Sequence, residues 1–293
     1  MTHKAGFVNI LGNPNVGKST LMNKLVGEKL SIITNKSQTT RHRIMGIVNG
    51  EDFQIVYSDT PGIIKPNYRL QKSMMHFVDT AIEDADIILY MTDVIEDPEK
   101  NKMSIERIAK ENKPTLVLIN KIDQTNQMNL ESLVEKWAER LPQASILPIA
   151  AKHKLHVEKV FDYIMYHLPE GDPYFPKDEL TDRSLRFFAS EMIREQILLL
   201  YRQEVPYSVE VEISSFKEDE RIAHIEGIIY VARESQKGIL IGHQGEKLKK
   251  VGTAARKDIE EFLGKKVYLE LFVKVDPDWR DNDKKLRKFG YIE

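Results

Sequence analysis

A chain of 293 residues is long enough for two domains, each with its own core. With 41% hydrophobic and 30% charged residues and a formal net charge of −2, its balance is globular, and any nucleic-acid surface must be a local patch. The absence of cysteine excludes disulfides, thiolate catalysis and zinc-thiolate centres, and it fits a reducing compartment. The longest apolar runs, residues 87–91 and 197–201, fall far short of the ~20 residues that cross a bilayer. The first residues lead into a strand-like run with no signal-peptide core, so a cytoplasmic protein is the default expectation.

Up to about residue 168, short apolar runs alternate with helical periodicity, which predicts βα units around a mostly parallel sheet. Strands are expected at 6–11, 43–48, 53–58, 86–91, 115–119 and 146–149. Helices are expected at 18–25, 70–83, 99–111, 130–140 and 157–167. The stretch 169–182, with three prolines, a glycine and several acids, reads as a linker. A helix at 184–201 follows, then strands at 208–216 and 221–231, a basic glycine-punctuated helical stretch at 235–263, and a strand at 267–273. Expected domain bounds are 4–170, a linker at 171–183, a second domain at 184–280 and a tail at 281–293.

Gly12, Asn13, Pro14, Asn15, Val16, Gly17, Lys18 and Ser19 match G-x-x-x-x-G-K-[ST] between a strand and a helix that continues through Thr20. Alone, a glycine loop with a chance Lys-Ser is only a turn. In this context the glycines let backbone N–H groups and the helix N-terminus face phosphates. Lys18 then neutralises the β- and γ-phosphates, and Ser19 offers a hydroxyl to Mg²⁺. Asn120, Lys121, Ile122 and Asp123 follow the strand at 115–119, at a strand C-terminus where ligands bind in such sheets. A carboxylate there can accept from the N1–H and the amine of guanine, a donor pair that adenine lacks. Asn120 can meet the purine N7 edge, and Lys121 can cover the base.

Asp59, Thr60, Pro61 and Gly62 follow the strand at 53–58. Asp59 is placed to hold Mg²⁺ through water, and the Gly62 N–H to sense the γ-phosphate. A proline turn is the bland alternative, and the order of the motifs argues against it. Gln38, Thr39, Thr40, Arg41, His42 and Arg43 form a polar segment between these motifs, where a hydroxyl can complete the coordination of Mg²⁺.

Taken together in this order, these motifs resemble the TrmE–Era class of translation-factor-related GTPases. The resemblance implies a Ras-like fold and makes Thr40 the Mg²⁺ ligand. It also implies a potassium ion at Asn15, helped by carbonyls of residues 34–39. The base-side loop is then Ala150, Ala151 and Lys152. The family usually has Ser-Ala-Lys there, so Ala150 departs from it, while the Ala151 N–H remains the expected contact to guanine O6. Where Ras-type enzymes place a water-orienting glutamine, this chain has Ile63. Catalysis is therefore expected to be slow, to rest on Lys18, Gly62 and positioning, and to be assisted by K⁺. Arg41 and Arg43 are candidate arginine fingers on position alone, set against a solvent- or RNA-facing role.

In the second half, Gly242, His243, Gln244 and Gly245 lie between a short apolar helix ending at Ile241 and a basic helix. A lone G-x-x-G is usually a turn. Two strands before, helices on both sides and one strand after resemble a type II KH domain, which clamps four nucleotides of single-stranded RNA. Residues 236–257 carry Lys237, Lys247, Lys249, Lys250, Arg256 and Lys257 against Glu246, a local patch suited to phosphates. The resemblance to Era-type members of the class spans the whole chain. It implies GTP and GDP as ligands, binding near the 3′ end of small-subunit ribosomal RNA, a role in small-subunit assembly, a monomer, and weak peripheral association with a membrane surface. A P-loop ATPase or kinase is the competing reading, opposed by Asp123 and separated by ATP/GTP competition. An RNA-binding scaffold with an inactive nucleotide site is opposed by Lys18, Ser19 and Asp59 and separated by phosphate release.

Overall fold

The computed structural model describes residues 2–292, and the chain divides into two compact units. The first comprises Met1–Ser31, Thr40–Asn67 and Gln71–Asp182. Its strands are β1 (Lys4–Gly12), β2 (Ile44–Asn49), β3 (Phe53–Asp59), β4 (Ile87–Asp93), β5 (Thr115–Asn120) and β6 (Ser145–Pro148). They form one sheet in the order β2-β3-β1-β4-β5-β6. The β2–β3 pair is a hairpin and antiparallel, and the remaining neighbours run parallel. Every residue of β4 is buried, as expected of a parallel strand covered on both faces. Helices α1 (Lys18–Val26), α2 (Arg69–Glu83), α3 (Lys102–Lys110) and α4 (Gln127–Arg140) connect the strands, and α5 (Val157–His167) follows the last of them. Trp137 of α4 packs at a tilt against Tyr90 of β4, 5.5 Å between ring centroids, in a core with Leu11, Val117 and Ile119.

The α/β architecture matches the expectation, with differences at element ends that have local causes. The helix expected at 99–111 starts as a 3₁₀ turn, Pro98–Asn101, capped by the Asp97 carboxylate on the Glu99 N–H, before α3 proper. The proline-rich stretch after α5 is tied along the sheet. Ala5 N–H donates to the Pro169 carbonyl at 3.0 Å, the Gln54 side chain takes the N–H groups of Tyr174 and Phe175, and Asp182 accepts from the Met45 N–H. Register does the positioning. Ile10 pairs with Asp59, Gly12 with Met91 and Asp93 with Asn120, so the loops that follow β1, β3, β4 and β5 emerge on one edge.

The second unit comprises Arg183–Glu293 together with two segments from far earlier, Ile32–Thr39 and Tyr68–Leu70. Its helices are α6 (Leu185–Leu200), α7 (Glu234–Ile241), α8 (Glu246–Leu263) and α9 (Asp283–Lys288). Strands β7 (Val209–Glu218), β8 (Ile222–Val231) and β9 (Lys266–Val275) form a sheet in that order, with β9 parallel to β8. Ile193 and Ile197 of α6 and Val251, Ala255 and Ile259 of α8 pack with Val209, Val211, Ile225 and Ile229 of the sheet. The glycine-punctuated basic stretch is broken where expected, by a 3₁₀ turn, His243–Gly245, between α7 and α8.

The early segments are built into this unit by hydrogen bonds. The fully buried Arg194 pairs with Glu191 at 2.7 Å and donates to the carbonyls of Gln38 and Thr39. The Ile33 N–H donates to Glu195 at 3.0 Å, and Lys36 donates to the carbonyls of Leu198 and Tyr201 at the end of α6. Arg280 lies over the Tyr68 ring, and Arg69 forms an ion pair with Asp283. The expected tail contributes α9 and the buried Leu286 and Tyr291, whose hydroxyl donates to Glu210 at 2.7 Å, next to the buried Trp279 of the preceding segment.

Candidate functional site

The loop after β1 takes its shape from two glycines. Gly12 sits at φ 144°, where a Cβ would lie 2.0 Å from the Met91 carbonyl oxygen. Gly17 sits at φ 108°, where a Cβ would lie 2.3 Å from the Asn120 amide nitrogen. That second contact is a cross-brace: Asn120 Nδ2 donates to the Val16 carbonyl at 2.7 Å, and its Oδ1 accepts from the Ala151 N–H at 2.9 Å. One side chain thus ties the loops after β1, β5 and β6 together. The Ala151 N–H, expected at guanine O6, is in this structure the donor to Asn120. Ala150 and Ala151 are buried, and Lys152 is exposed.

Lys18 is buried and donates to the carbonyls of Gly12 at 3.1 Å and Asn13 at 2.8 Å. Burial lowers its pKa to about 8, against the opposing charges of Asp59 and Glu96. Val16 is buried beneath the loop, and Asn15 is exposed in the left-handed region at φ 66°. Ser19 at the start of α1 donates to Asp59 Oδ2 at 2.7 Å and lies 2.9 Å from the Thr40 hydroxyl, and Thr40 donates to the same carboxylate oxygen at 3.3 Å. Asp59 is fully buried and its Oδ1 has no hydrogen-bond partner. Burial pushes this carboxyl up, opposed by Lys18 and by the hydroxyls of Ser19, Ser31 and Thr40.

Thr60 donates its hydroxyl to the Ile10 carbonyl at 2.7 Å, which fixes the start of the Asp-Thr-Pro-Gly turn. Pro61 is buried, and Gly62 packs so closely that a Cβ would lie 2.6 Å from the Pro14 nitrogen. Ile63 donates its N–H to the Gly12 carbonyl and packs its side chain against the core around Tyr90 and Trp137. Lys121, at φ 63°, spans the Asn15 carbonyl at 2.8 Å and Asp93 at 2.6 Å. Asp123 is exposed in the following turn, with His153 Nε2 3.7 Å away.

Two placements correct the expected roles of the arginines. Arg43 is buried, donating from Nε to Ser58 at 2.9 Å and pairing with Asp84, so it is a fold contact rather than a solvent-facing side chain. Arg41 is fully buried, which removes its solvent-facing reading, and His42 is nearly so. Gln38 and Thr39 lie in the second unit, where Gln38 accepts from Tyr68 and Thr39 donates to the Lys36 carbonyl. Motif spacing missed Asp93, Glu96 and His153. Glu96 accepts from Thr92 at 2.7 Å and from the Asn13 side chain.

In the second unit, Gly242 at φ 72° is required twice, since a Cβ there would also meet Lys247 Cγ at 2.7 Å. Gly245 at φ 80° faces open space, and His243, Gln244, Lys247 and Lys250 are exposed, with Lys237 and Ile241 half-buried. Beside this turn, α8 and the edge strand β9 enclose a groove of about 310 Å³. Leu248, Gly252, Leu269 and Leu271 provide apolar or bare surface in it, and Lys249 and Arg256 provide charge. The signal for it in the sequence was Gly252, a helix-breaking residue inside a helix. Among the described residues no cluster of three or more His, Cys, Asp or Glu could hold a metal. No helix among them is long and apolar enough to cross a membrane.

Comparison with known proteins identifies both domains. Residues 7–121 match the family described as 50S ribosome-binding GTPase, and residues 204–280 match the KH domain. GTPase Era from Clostridium kluyveri is 42% identical over 290 residues, covering 98% of this chain and 99% of that protein. A crystal structure of Era in complex with MgGDPNP and nucleotides 1506–1542 of 16S ribosomal RNA superposes with a TM-score of 0.94 at 42% identity. It covers 99% of this chain and 100% of that one. A variant of Aquifex aeolicus Era bound to GDP and AlF4⁻ matches with the same score, identity and coverage. With its glycine loop, its Ser19–Thr40–Asp59 cluster and its glycine turn beside a groove, this chain belongs to the GTPase Era family.

Proposed function

We propose that this protein is a GTP-binding and GTP-hydrolysing switch that binds single-stranded RNA at the 3′ end of small-subunit ribosomal RNA and acts in assembling that subunit. The observation that carries this reading is the relative of TM-score 0.94 that holds MgGDPNP and a 16S ribosomal RNA segment together. Residues 4–170 are the nucleotide domain, 171–183 the linker, 184–280 the RNA-binding domain and 281–293 a tail. The protein acts as a cytoplasmic monomer.

Magnesium fits the first unit. A fully buried carboxylate with one unpartnered oxygen, beside two hydroxyls and with no further acid, is a hard oxygen donor set that leaves room for water. Ser19, Thr40 and, through water, Asp59 would hold it, and when bound it would neutralise charge on the phosphates. The chain's own residues do the rest. Lys18 exchanges its loop carbonyls for phosphate oxygens, the Gly62 N–H faces the γ-phosphate, and Asp123 selects guanine. Ile63 is committed to the core, so no side chain follows Gly62 to orient water, and turnover rests on positioning and fixed charge. An exposed left-handed Asn15 supports potassium at the phosphate loop. Exchanging Na⁺ for K⁺ at constant ionic strength should raise turnover in the wild type and not in Asn15→Ala. Equal rates in both salts refute the potassium part.

The RNA part is tested by titrating a single-stranded oligonucleotide of the ribosomal-RNA 3′ end. Gly242→Asp with Gly245→Asp should abolish binding, through sterics at the first position and repulsion at both, and should leave GTP affinity unchanged. Wild-type RNA affinity in the double variant would place the RNA site elsewhere.

A further inference from the structure

The two turns on the base side of the first unit are braced against each other. The turn Ile122–Gln124 follows β5, the turn Ala151–His153 follows β6, and these strands run parallel with Ile119 opposite Pro148. Asn120 Oδ1 accepts from the Ala151 N–H at 2.9 Å, and the Ile122 N–H donates to the Ile149 carbonyl at 3.3 Å. Within the second turn the His153 N–H donates to the Ala150 carbonyl at 3.0 Å. The point from which the His153 side chain departs is therefore set by the fold, although the ring itself is exposed.

From that point His153 Nε2 comes within 3.7 Å of Asp123 Oδ2. Among the described residues Asp123 makes no side-chain hydrogen bond, and His153 is its one charged or polar neighbour at ion-pair distance. Lys121, two positions earlier, is committed to Asp93 and to the Asn15 carbonyl. Ala150 and Ala151 bring only methyl groups to the base-side turn. The terminal torsion of an aspartate is broad, so a carboxylate with no contact turns easily about it. Accepting from the N1–H and the amine of guanine at once requires both oxygens in the plane of the base. Each carboxylate oxygen has two lone-pair directions, so Oδ2 can serve the base with one and an imidazole N–H with the other.

We propose that His153 is a positioning residue for base recognition, donating from Nε2 to Asp123 Oδ2 and holding the carboxylate in the plane where both oxygens meet guanine. At 3.7 Å the contact is longer than a hydrogen bond, and hydrogen bonds at functional sites often tighten only once the ligand is seated. The two side chains are 55% and 36% exposed, and a pair so exposed adds little to stability, so its removal leaves the fold intact. The inference rests on the assignment of Asp123 to guanine given above, and the two fail differently.

The experiment compares GTP with inosine triphosphate, which keeps the N1–H and lacks the amine. Both compete against a fluorescent GDP analogue on the full-length protein, for wild type, His153→Ala, His153→Gln, Asp123→Ala and the double alanine variant. Wild type should prefer GTP, because a held carboxylate takes two donors from guanine and one from hypoxanthine. In His153→Ala the GTP affinity should fall by ~2–10-fold, the worth of about one hydrogen bond. Inosine triphosphate should lose less, so the preference shrinks. His153→Gln, whose amide also donates, should recover most of the preference. Asp123→Ala should abolish it, and adding His153→Ala should then change nothing further. An unaltered preference in His153→Ala, or equal losses for the two nucleotides, overturns the proposal and makes His153 a surface residue. An Asp123→Ala variant that still prefers GTP overturns the guanine assignment itself.

Discussion

Residues whose chemistry depends on close spacing were legible before any coordinate. Lys18 and Ser19 sit at fixed offsets in a loop, and Asp123 sits three residues after Asn120, so local geometry alone carries the inference. Asp93 and Glu96 were not legible, because Lys121 is 28 residues from its partner and Asn13 is 83 from its own. Only the parallel register of β1, β4 and β5 brings them together. Arg43 was misjudged for the same reason, since the hairpin register of β2 and β3 brings it to Ser58. The legible aspartate gives the sharpest prediction. Asp123→Asn should lose GTP affinity and gain affinity for xanthosine triphosphate, whose carbonyl replaces the guanine amine. A charge-assisted bond is worth ~1.5–3 kcal/mol, so losing even one means a ~10–100-fold weaker GTP complex. Competition between the two nucleotides reads it directly, and a variant that still prefers GTP would contradict the role of Asp123.

Periodicity located the long elements of both sheets and missed α9, whose six residues offer Leu286 as their buried position and no repeat to detect. The glycines of the 242–245 turn, by contrast, marked the break between α7 and α8 in advance. The groove beside α8 shows why Gly252 is informative. A glycine inside a helix costs roughly 1 kcal/mol relative to alanine. A Cβ at this position would meet Leu271 at 3.4 Å, an ordinary contact, so the fold does not require the glycine. Gly252→Ala should therefore raise stability in urea by up to about 1 kcal/mol, while a methyl in the groove weakens RNA binding several-fold. Calorimetry and the oligonucleotide titration would read the two effects separately. If RNA affinity is unchanged in Gly252→Ala, the groove does not take a base.

At the scale of the molecule, the proline-rich stretch suggested a cut between halves, and the second unit does not respect it. Residues Ile32–Thr39 and Tyr68–Leu70 belong to that unit, and no local pattern could announce it. A fragment of residues 183–293 alone lacks the carbonyl acceptors of the buried Arg194, the Glu195 donor from Ile33 and the Asp283 partner Arg69. Leaving one buried donor unmet costs about 1–3 kcal/mol, and a domain of this size loses roughly 4–8 °C per kcal/mol. Trp279 fluorescence in a Trp137→Phe background should show the fragment melting at least about 5 °C below the same unit in the full chain. Coincident melting would mean that the early segments add nothing. The same feature sets a clock on biosynthesis. Thr39 leaves the ribosome 155 residues before Arg194 does, an interval of roughly 10–30 s at ordinary elongation rates. The nascent chain can close β1 through β6 during that time, but Ser31 and Thr40 flank a segment with nothing yet to hold it. Competence to bind nucleotide tightly should accordingly appear only near the end of translation, after the helix that anchors the segment has been made.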